Sequence, residues 1–330
     1  MILRFLTLFT ISAYWMILPV QSQDVNTVDL TGEWKFRRAG TREWLPARVP
    51  GVVHMDLLRN KAIPDPHDGA NESKLQWISD VGWEYMKTFR YEEDKFAWRH
   101  IELVCKGIDT YANVYLNDSL ILVTNNMFQE YYTEIKRFLH IGPNTLRIQF
   151  PAVKPHIEAE YRKLPHELPG DEKVVARKAG YHFGWDWGPA YLTSGIWRPI
   201  YIREWQGVKF LGVQFIRKQL TDTLATMAAQ FTMFAELDDP AEIRLFIDTT
   251  EILRQSVNLV QGQNVIRGDF GIPKPKRWWP FGMGEQSLYN FGYEVWFNGR
   301  LVGKGTQRVG LRTVELVQER DSLGQSFYFL

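Results

Sequence analysis

Apolar and polar residues alternate in short runs along most of the chain, and turn-forming residues separate the runs. GEWKFRR, WEYMKTFRY, HIELVCKGI, ANVYLND, SLILVT, TLRIQF and RPIYIREW each read as a β-strand, because alternation with period two puts one set of side chains on a buried face. Tyr115 to Ile121 reads as a hairpin, with Asn117 and Asp118 suited to the positive φ angles of a tight turn. Helical periodicity is scarce. Residues 151–180 break the pattern with four prolines and many charges, and a short helix around Ile157 to Lys163 is expected there. A second set of runs starts with GVKFLGVQFIRK and continues through LATMAAQFTMFAEL, AEIRLFIDT, QSVNLVQG, YEVWFNG and LVGKGTQRVGLRTVELVQE. Turn signals recur in it about every 8 to 12 residues, which favours an immunoglobulin-like β-sandwich. A boundary is therefore expected near Trp205 to Lys209.

The N-terminus departs from this strand pattern. MILR followed by FLTLFTISAYWMILPV is a basic segment and then an uncharged apolar run, and Val20 and Ser22 supply small residues for a cleavage site. Residues 1–22 are therefore expected to be a signal peptide, and the mature chain to be exported; an uncleaved anchor is the rival reading, for a run that is short for a full span. No other segment is apolar enough to cross a bilayer. Cys105 is the only cysteine, so no intrachain disulfide is possible, and its place in IELVCKGI predicts a buried structural thiol. The sequons at Asn71 and Asn117 are glycan acceptors in a eukaryotic host only.

Charge narrows the functional classes. The 39 basic and 38 acidic residues nearly cancel, which gives no reason to expect a nucleic-acid or anionic-membrane partner. Aromatic residues make up 14% of the chain, a level that suits strand-rich cores and also suits sugar binding, where a flat ring packs on a pyranose face. No phosphate-binding glycine loop, nucleophile elbow, zinc-protease motif or paired cysteines occur. His156, Glu160, His166 and Glu167 are conceivable metal ligands, but the prolines among them are expected to interrupt any shared helical face, so neither a metal nor a cofactor is expected.

One stretch has a shaped chemical setting. YHFGWDWGPAYLTSGIW, residues 181–197, surrounds the single carboxylate of Asp186 with aromatic residues and glycines. In a regular strand Trp185 and Trp187 would share one face and Asp186 the other, so the glycines and Pro189 argue for a loop or bulged turn that re-aims them. Two readings stand side by side: tryptophans in a core with Asp186 capping backbone N–H groups, or a recognition carboxylate between aromatic walls. Trp197 reads as a core residue of a strand running from Gly195 to Ile202, and Trp278 and Trp279 as residues that close a domain. Asp109, Tyr111 and Asn117 read as strand or turn residues.

Three ordered motifs carry a family resemblance over nearly the whole mature chain. Gly184-Trp185-Asp186-Trp187-Gly188-Pro189 followed by Ser194-Gly195-Ile196-Trp197 resembles the β-mannosidase branch of glycoside hydrolase family 2. Upstream, Gly107-Ile108-Asp109-Thr110-Tyr111-Ala112 and Asn126-Met127-Phe128 resemble its sugar-binding domain; downstream, Trp278-Trp279-Pro280 with Gly282 and Gly284 resembles the end of its first immunoglobulin-like domain. The resemblance implies an all-β chain: after the signal peptide of residues 1–22, a jelly-roll sugar-binding sandwich over 23–206, an immunoglobulin-like sandwich over 207–318, and over 319–330 a lead-in to a catalytic TIM barrel that this chain lacks.

In the family, hydrolysis of terminal β-D-mannose with retention uses two glutamates of that barrel, so the resemblance assigns no catalytic residue here. It implies that Trp185, Asp186 and Trp187 contact the substrate sugar, with Asp186 accepting hydrogen bonds from mannose hydroxyls. The expected partner is a β-mannoside, bound weakly or not at all without the barrel, and the uncovered barrel-facing surface is expected to self-associate. A free-standing mannose-binding module and a secreted structural or adhesion protein remain as alternatives.

Overall fold

The computed structural model describes residues 25–320 and 322–329; the expected signal peptide lies outside them. The first half begins with strands β1 (Val25–Asp29), β2 (Gly32–Arg38) and β3 (Leu45–Val49), then helices α1 (Val53–Arg59) and α2 (Asn71–Lys74). It continues through β4 (Trp83–Tyr91), β5 (His100–Cys105), β6 (Tyr111–Leu116), β7 (Ser119–Asn125), β8 (Tyr131–Glu134) and β9 (Gly142–Phe150). Helix α3 (Val153–Tyr161), the short strands β10 (Phe183–Trp185) and β11 (Gly188–Ala190), and β12 (Ile200–Trp205) complete it.

Two antiparallel sheets face each other, six strands in the order β3-β2-β4-β9-β6-β7 and four in the order β1-β12-β5-β8. Alternation makes the core between them: in β6 Ala112, Val114 and Leu116 are buried while Tyr111, Asn113 and Tyr115 face out. Phe36, Tyr85, Tyr91, Phe150 and Ile202 are fully buried in this core, each such side chain being worth about 1.5–3 kcal/mol of hydrophobic stabilisation. Cys105 is buried as expected, and burial pushes its thiol pKa up to about 12, so it is an inert packing group.

The second half is a seven-stranded sandwich. Its strands are β13 (Val208–Leu220), β14 (Leu224–Ala235), β15 (Asp239–Ile247), β16 (Thr250–Leu259), β17 (Gly262–Pro273), β18 (Tyr289–Phe297) and β19 (Arg300–Val309). They form a β13-β14-β17 sheet packed on a β16-β15-β18-β19 sheet. Where a disulfide would pin many such sandwiches, aromatic packing does so: Phe291 meets Phe215 and Phe270 at 4.7 and 5.6 Å between ring centroids. Trp278 ties the loop after β17 back to the sandwich by donating its backbone N–H to Leu311 at 2.9 Å, in keeping with a closing role. A last hairpin, β20 (Leu316–Arg320) with β21 (Gln325–Phe329), follows. The described residues form no TIM barrel.

The two sandwiches meet through buried charge. Lys209 Nζ donates to Glu102 Oε1 at 2.7 Å, and Glu236 accepts from the Gly207 backbone N–H at 2.6 Å and lies 2.7 Å from His100 Nε2. His100 also stacks flat on Trp205, 4.0 Å between centroids.

Three local expectations change. Strand β12 starts at Ile200 instead of Gly195, because Pro199 has no N–H to give a ladder. Trp197, expected as a core strand residue, is half-buried in the preceding loop and donates Nε1–H to the Met127 carbonyl at 3.1 Å. Helix α3 spans 153–161 and not 157–163, since Pro155 sits in its first turn, where no helical N–H is lost.

Candidate functional site

The glycine-punctuated stretch after residue 180 folds as a tight hairpin. Phe183 pairs with Ala190 and Trp185 with Gly188, which leaves Asp186 and Trp187 alone in the turn. Gly184 has φ of +83°, and a Cβ there would lie 3.1 Å from that of Ala190, so backbone and neighbour both call for glycine. Ending the strand at Trp185 removes the alternation that would have separated Asp186 from the tryptophans.

Trp185 and Trp187 are 66% and 86% exposed, and their rings meet edge to face with centroids 6.4 Å apart. Such exposure excludes the core reading of these two tryptophans. Asp186 is exposed and makes no hydrogen bond or ion pair to any described residue, so it caps no backbone N–H. The hairpin tip thus carries a carboxylate with all its acceptor capacity free, beside two indole faces.

A rigid base holds this tip. The Ala190 N–H donates to Glu72 Oε1 at 2.7 Å, Gln76 Nε2 donates to the Ala190 carbonyl at 3.0 Å, and Tyr191 Oη donates to the Pro66 carbonyl at 2.6 Å. Below lies a buried ion pair between Lys178 and Asp109. Lys178 Nζ also donates to the Thr193 carbonyl at 2.7 Å, and Thr193 Oγ1 donates to Asp109 Oδ2 at 2.5 Å. Because Lys178 precedes the hairpin and Thr193 follows it, this cluster clamps both stems to the sandwich.

Two imidazoles border the ion pair. Burial, and then the Lys178 charge, lower the pKa of both His54 and His182 to about 4, so both are neutral at neutral pH. Burial lowers the pKa of Lys178, and Asp109 offsets part of that effect. A cavity of about 380 Å³ lies against the hairpin, lined by Tyr181, His182, Trp185, Tyr191 and Thr193 among others. It has the size of a small-ligand pocket.

The structure brings Trp185, Asp186 and Trp187 together as one surface. Sequence reasoning missed their support: Asp109 reads locally as a strand or turn residue, and Lys178 and Glu72 carry no signal until the chain folds. His156 and Glu160 lie one turn apart on α3 and share a face, whereas His166 and Glu167 lie beyond its end at Tyr161, so the four share no helical face. No group of three or more metal-ligating side chains occurs among the described residues.

Similarity to known proteins follows this architecture. The profile of the glycosyl hydrolase 2 galactose-binding domain-like family matches residues 34–198, half of the chain, and that of glycosyl hydrolases family 2 matches residues 214–312. The chain belongs to glycoside hydrolase family 2. Beta-mannosidase B of Aspergillus terreus is 31% identical over 311 residues, covering 90% of this chain and 36% of that protein. The Aspergillus niger beta-mannosidase B is 30% identical over 317 residues, 91% of this chain and 37% of its own. The crystal structure of a β-D-mannosidase from Dictyoglomus thermophilum superposes with a TM-score of 0.86 at 33% identity, covering 92% of this chain and 38% of that one. An exo-chitosanase of Amycolatopsis orientalis shares the fold, with a TM-score of 0.67 at 16% identity. This family 2 chain therefore spans a little over a third of the length of its β-mannosidase relatives, and corresponds to their N-terminal sugar-binding and immunoglobulin-like portion.

Proposed function

We propose that this chain is the non-catalytic portion of a retaining, exo-acting β-mannosidase, in which Trp185, Asp186 and Trp187 contact the terminal mannose. The observation that carries this reading is the uncommitted Asp186 carboxylate between two exposed indoles, on a hairpin clamped from below. A carboxylate accepts from two vicinal hydroxyls at once, each charge-assisted bond being worth about 1.5–3 kcal/mol where water is excluded, and an indole face covers the apolar side of the ring. The match to a galactose-binding-like domain supports a sugar as ligand. No residue of the chain is assigned to bond cleavage, which in glycosidases needs two carboxylates across the scissile bond.

The remaining parts of the reading concern domains, address and association. The chain divides into sandwiches over 23–206 and 207–318 with a lead-in over 319–330, and residues 1–22 direct export as a signal peptide. No helix among the described residues is long and apolar enough to cross a membrane. The exposed Trp185 and Trp187, with Phe281 94% and Met283 66% exposed, favour self-association of the isolated chain. Light scattering that finds only monomer would refute that last point.

Two assays test the central reading. The purified chain is expected not to hydrolyse p-nitrophenyl β-D-mannoside, and measurable turnover would overturn its non-catalytic role. Fused in place of the matching portion of the Dictyoglomus enzyme, the chain is expected to support turnover, with Asp186→Ala lowering kcat/KM by about 100-fold. An unchanged kcat/KM in that variant would remove Asp186 from the sugar site.

A further inference from the structure

The outer face of the six-stranded sheet carries a second concave surface. Helix α3 lies over the solvent-facing side of β6 and β7 and leaves a groove of about 720 Å³, within the roughly 300–1,000 Å³ range of small-ligand pockets. Alternation along β6 puts Ala112 and Val114 in the core and turns Tyr111 and Asn113 into the groove. From α3 come His156, whose ring packs 4.0 Å from that of Tyr111, and Glu160. Arg177 closes the end. Lys178, next in the chain, is buried the other way against Asp109, so this backbone separates the groove from the clamp beneath the hairpin.

The chemistry of the lining narrows the ligand. Glu160 and Lys163 pair at 2.5 Å on one rim and neutralise each other. Arg177 is exposed and forms no ion pair with any described residue, and the Asn113 amide makes no hydrogen bond to one. The Asn125 side chain is engaged only through Oδ1, which accepts from the Tyr131 hydroxyl at 3.3 Å. One free guanidinium is too little charge to select a phosphate over solvent, whereas a planar donor fork, two amides and a tyrosine ring match the hydroxyls and apolar faces of a polyol.

We propose that the groove between β6 and α3 is a second saccharide-binding site, taking a short neutral oligosaccharide, with Tyr111 as the stacking ring and Arg177, Asn113 and Asn125 as hydroxyl partners. It is separate from the Trp185-Asp186-Trp187 surface and stands or falls independently of it. Calorimetric titration of the 330-residue chain with β-1,4-mannotriose, and separately with sodium phosphate, tests it. Saturable mannotriose binding is expected, weakened at least about tenfold by Tyr111→Ala and by Arg177→Ala, with every titration made in an Asp186→Ala background so that the hairpin surface does not contribute. Arg177 is exposed, so its variant decides the matter if Tyr111→Ala fails to fold by circular dichroism. No saturation below about 10 mM sugar, binding indifferent to both groove variants, or Arg177-dependent binding of phosphate alone would each overturn the proposal.

Discussion

At the scale of single residues, the hairpin's geometry depends on groups that lie beneath its tip. Lys178 and Asp109 are both fully buried, and removing one charge strands the other. Lys178→Met is expected to cost about 3 kcal/mol of stability, and the double change with Asp109→Asn to recover much of it. Urea denaturation of the three chains measures this; additive losses would show that the pair is not coupled. His54 makes a second prediction, through pH. Its folded pKa of about 4 lies below the ordinary 6.5, so the unfolded chain binds the extra proton between those values. Stability linked to His54 is thus complete above pH 6.5 and is lost as pH falls towards 4, by roughly 2 kcal/mol at pH 4.5. Denaturation midpoints from pH 7 to 4.5 should fall less steeply in His54→Phe than in the parent chain, and equal slopes would refute the assignment.

Among the elements, those legible in sequence were the ones whose pattern is local. GEWKFRR and WEYMKTFRY coincide with β2 and β4, because period-two alternation and strand propensity agree there. The Asn117-Asp118 turn also appears, with φ of 48° and 65°. Its asparagine does more than turn the chain: Nδ2 donates to the Phe138 carbonyl and Asn144 Oδ1 at 2.9 and 2.7 Å, and Oδ1 accepts from the Thr145 N–H at 2.9 Å. Asn117→Ala should therefore cost about 2 kcal/mol or more, where Asn117→Gly, which keeps the φ angle, should cost less. Thermal melts of both variants check the order. The same bonds oppose glycosylation at Asn117, whose amide nitrogen is already engaged. Short elements such as β3, β10 and α1 escaped the reading, since a few residues hold no resolvable period and their boundaries come from tertiary partners.

For the whole molecule, the junction between the sandwiches is a charged clamp. Glu236 joins the Gly207 backbone to His100 and Arg99, and Lys209 is buried against Glu102 with its ammonium 4.7 Å from the Trp205 ring. The parent chain should melt in one calorimetric transition, and Glu236→Ala combined with Lys209→Met should split it into two. A single unchanged transition in the double variant would mean that other contacts couple the halves. Such a clamp fixes the direction in which the hairpin of the first sandwich points relative to the second.

The sequence by itself determined the two-sandwich, all-β class and picked out Trp185, Asp186 and Trp187, because alternation, turn chemistry and motif order are properties of neighbouring residues. Tertiary structure alone decided that these three stand exposed on one hairpin tip, and that Asp109, Lys178 and Thr193, up to 84 positions apart, form the clamp beneath it. It also packed Tyr111 against His156 to make the groove between β6 and α3. Burial, charge pairing and the shape of a groove arise from residues distant in the chain, and no local pattern encodes them.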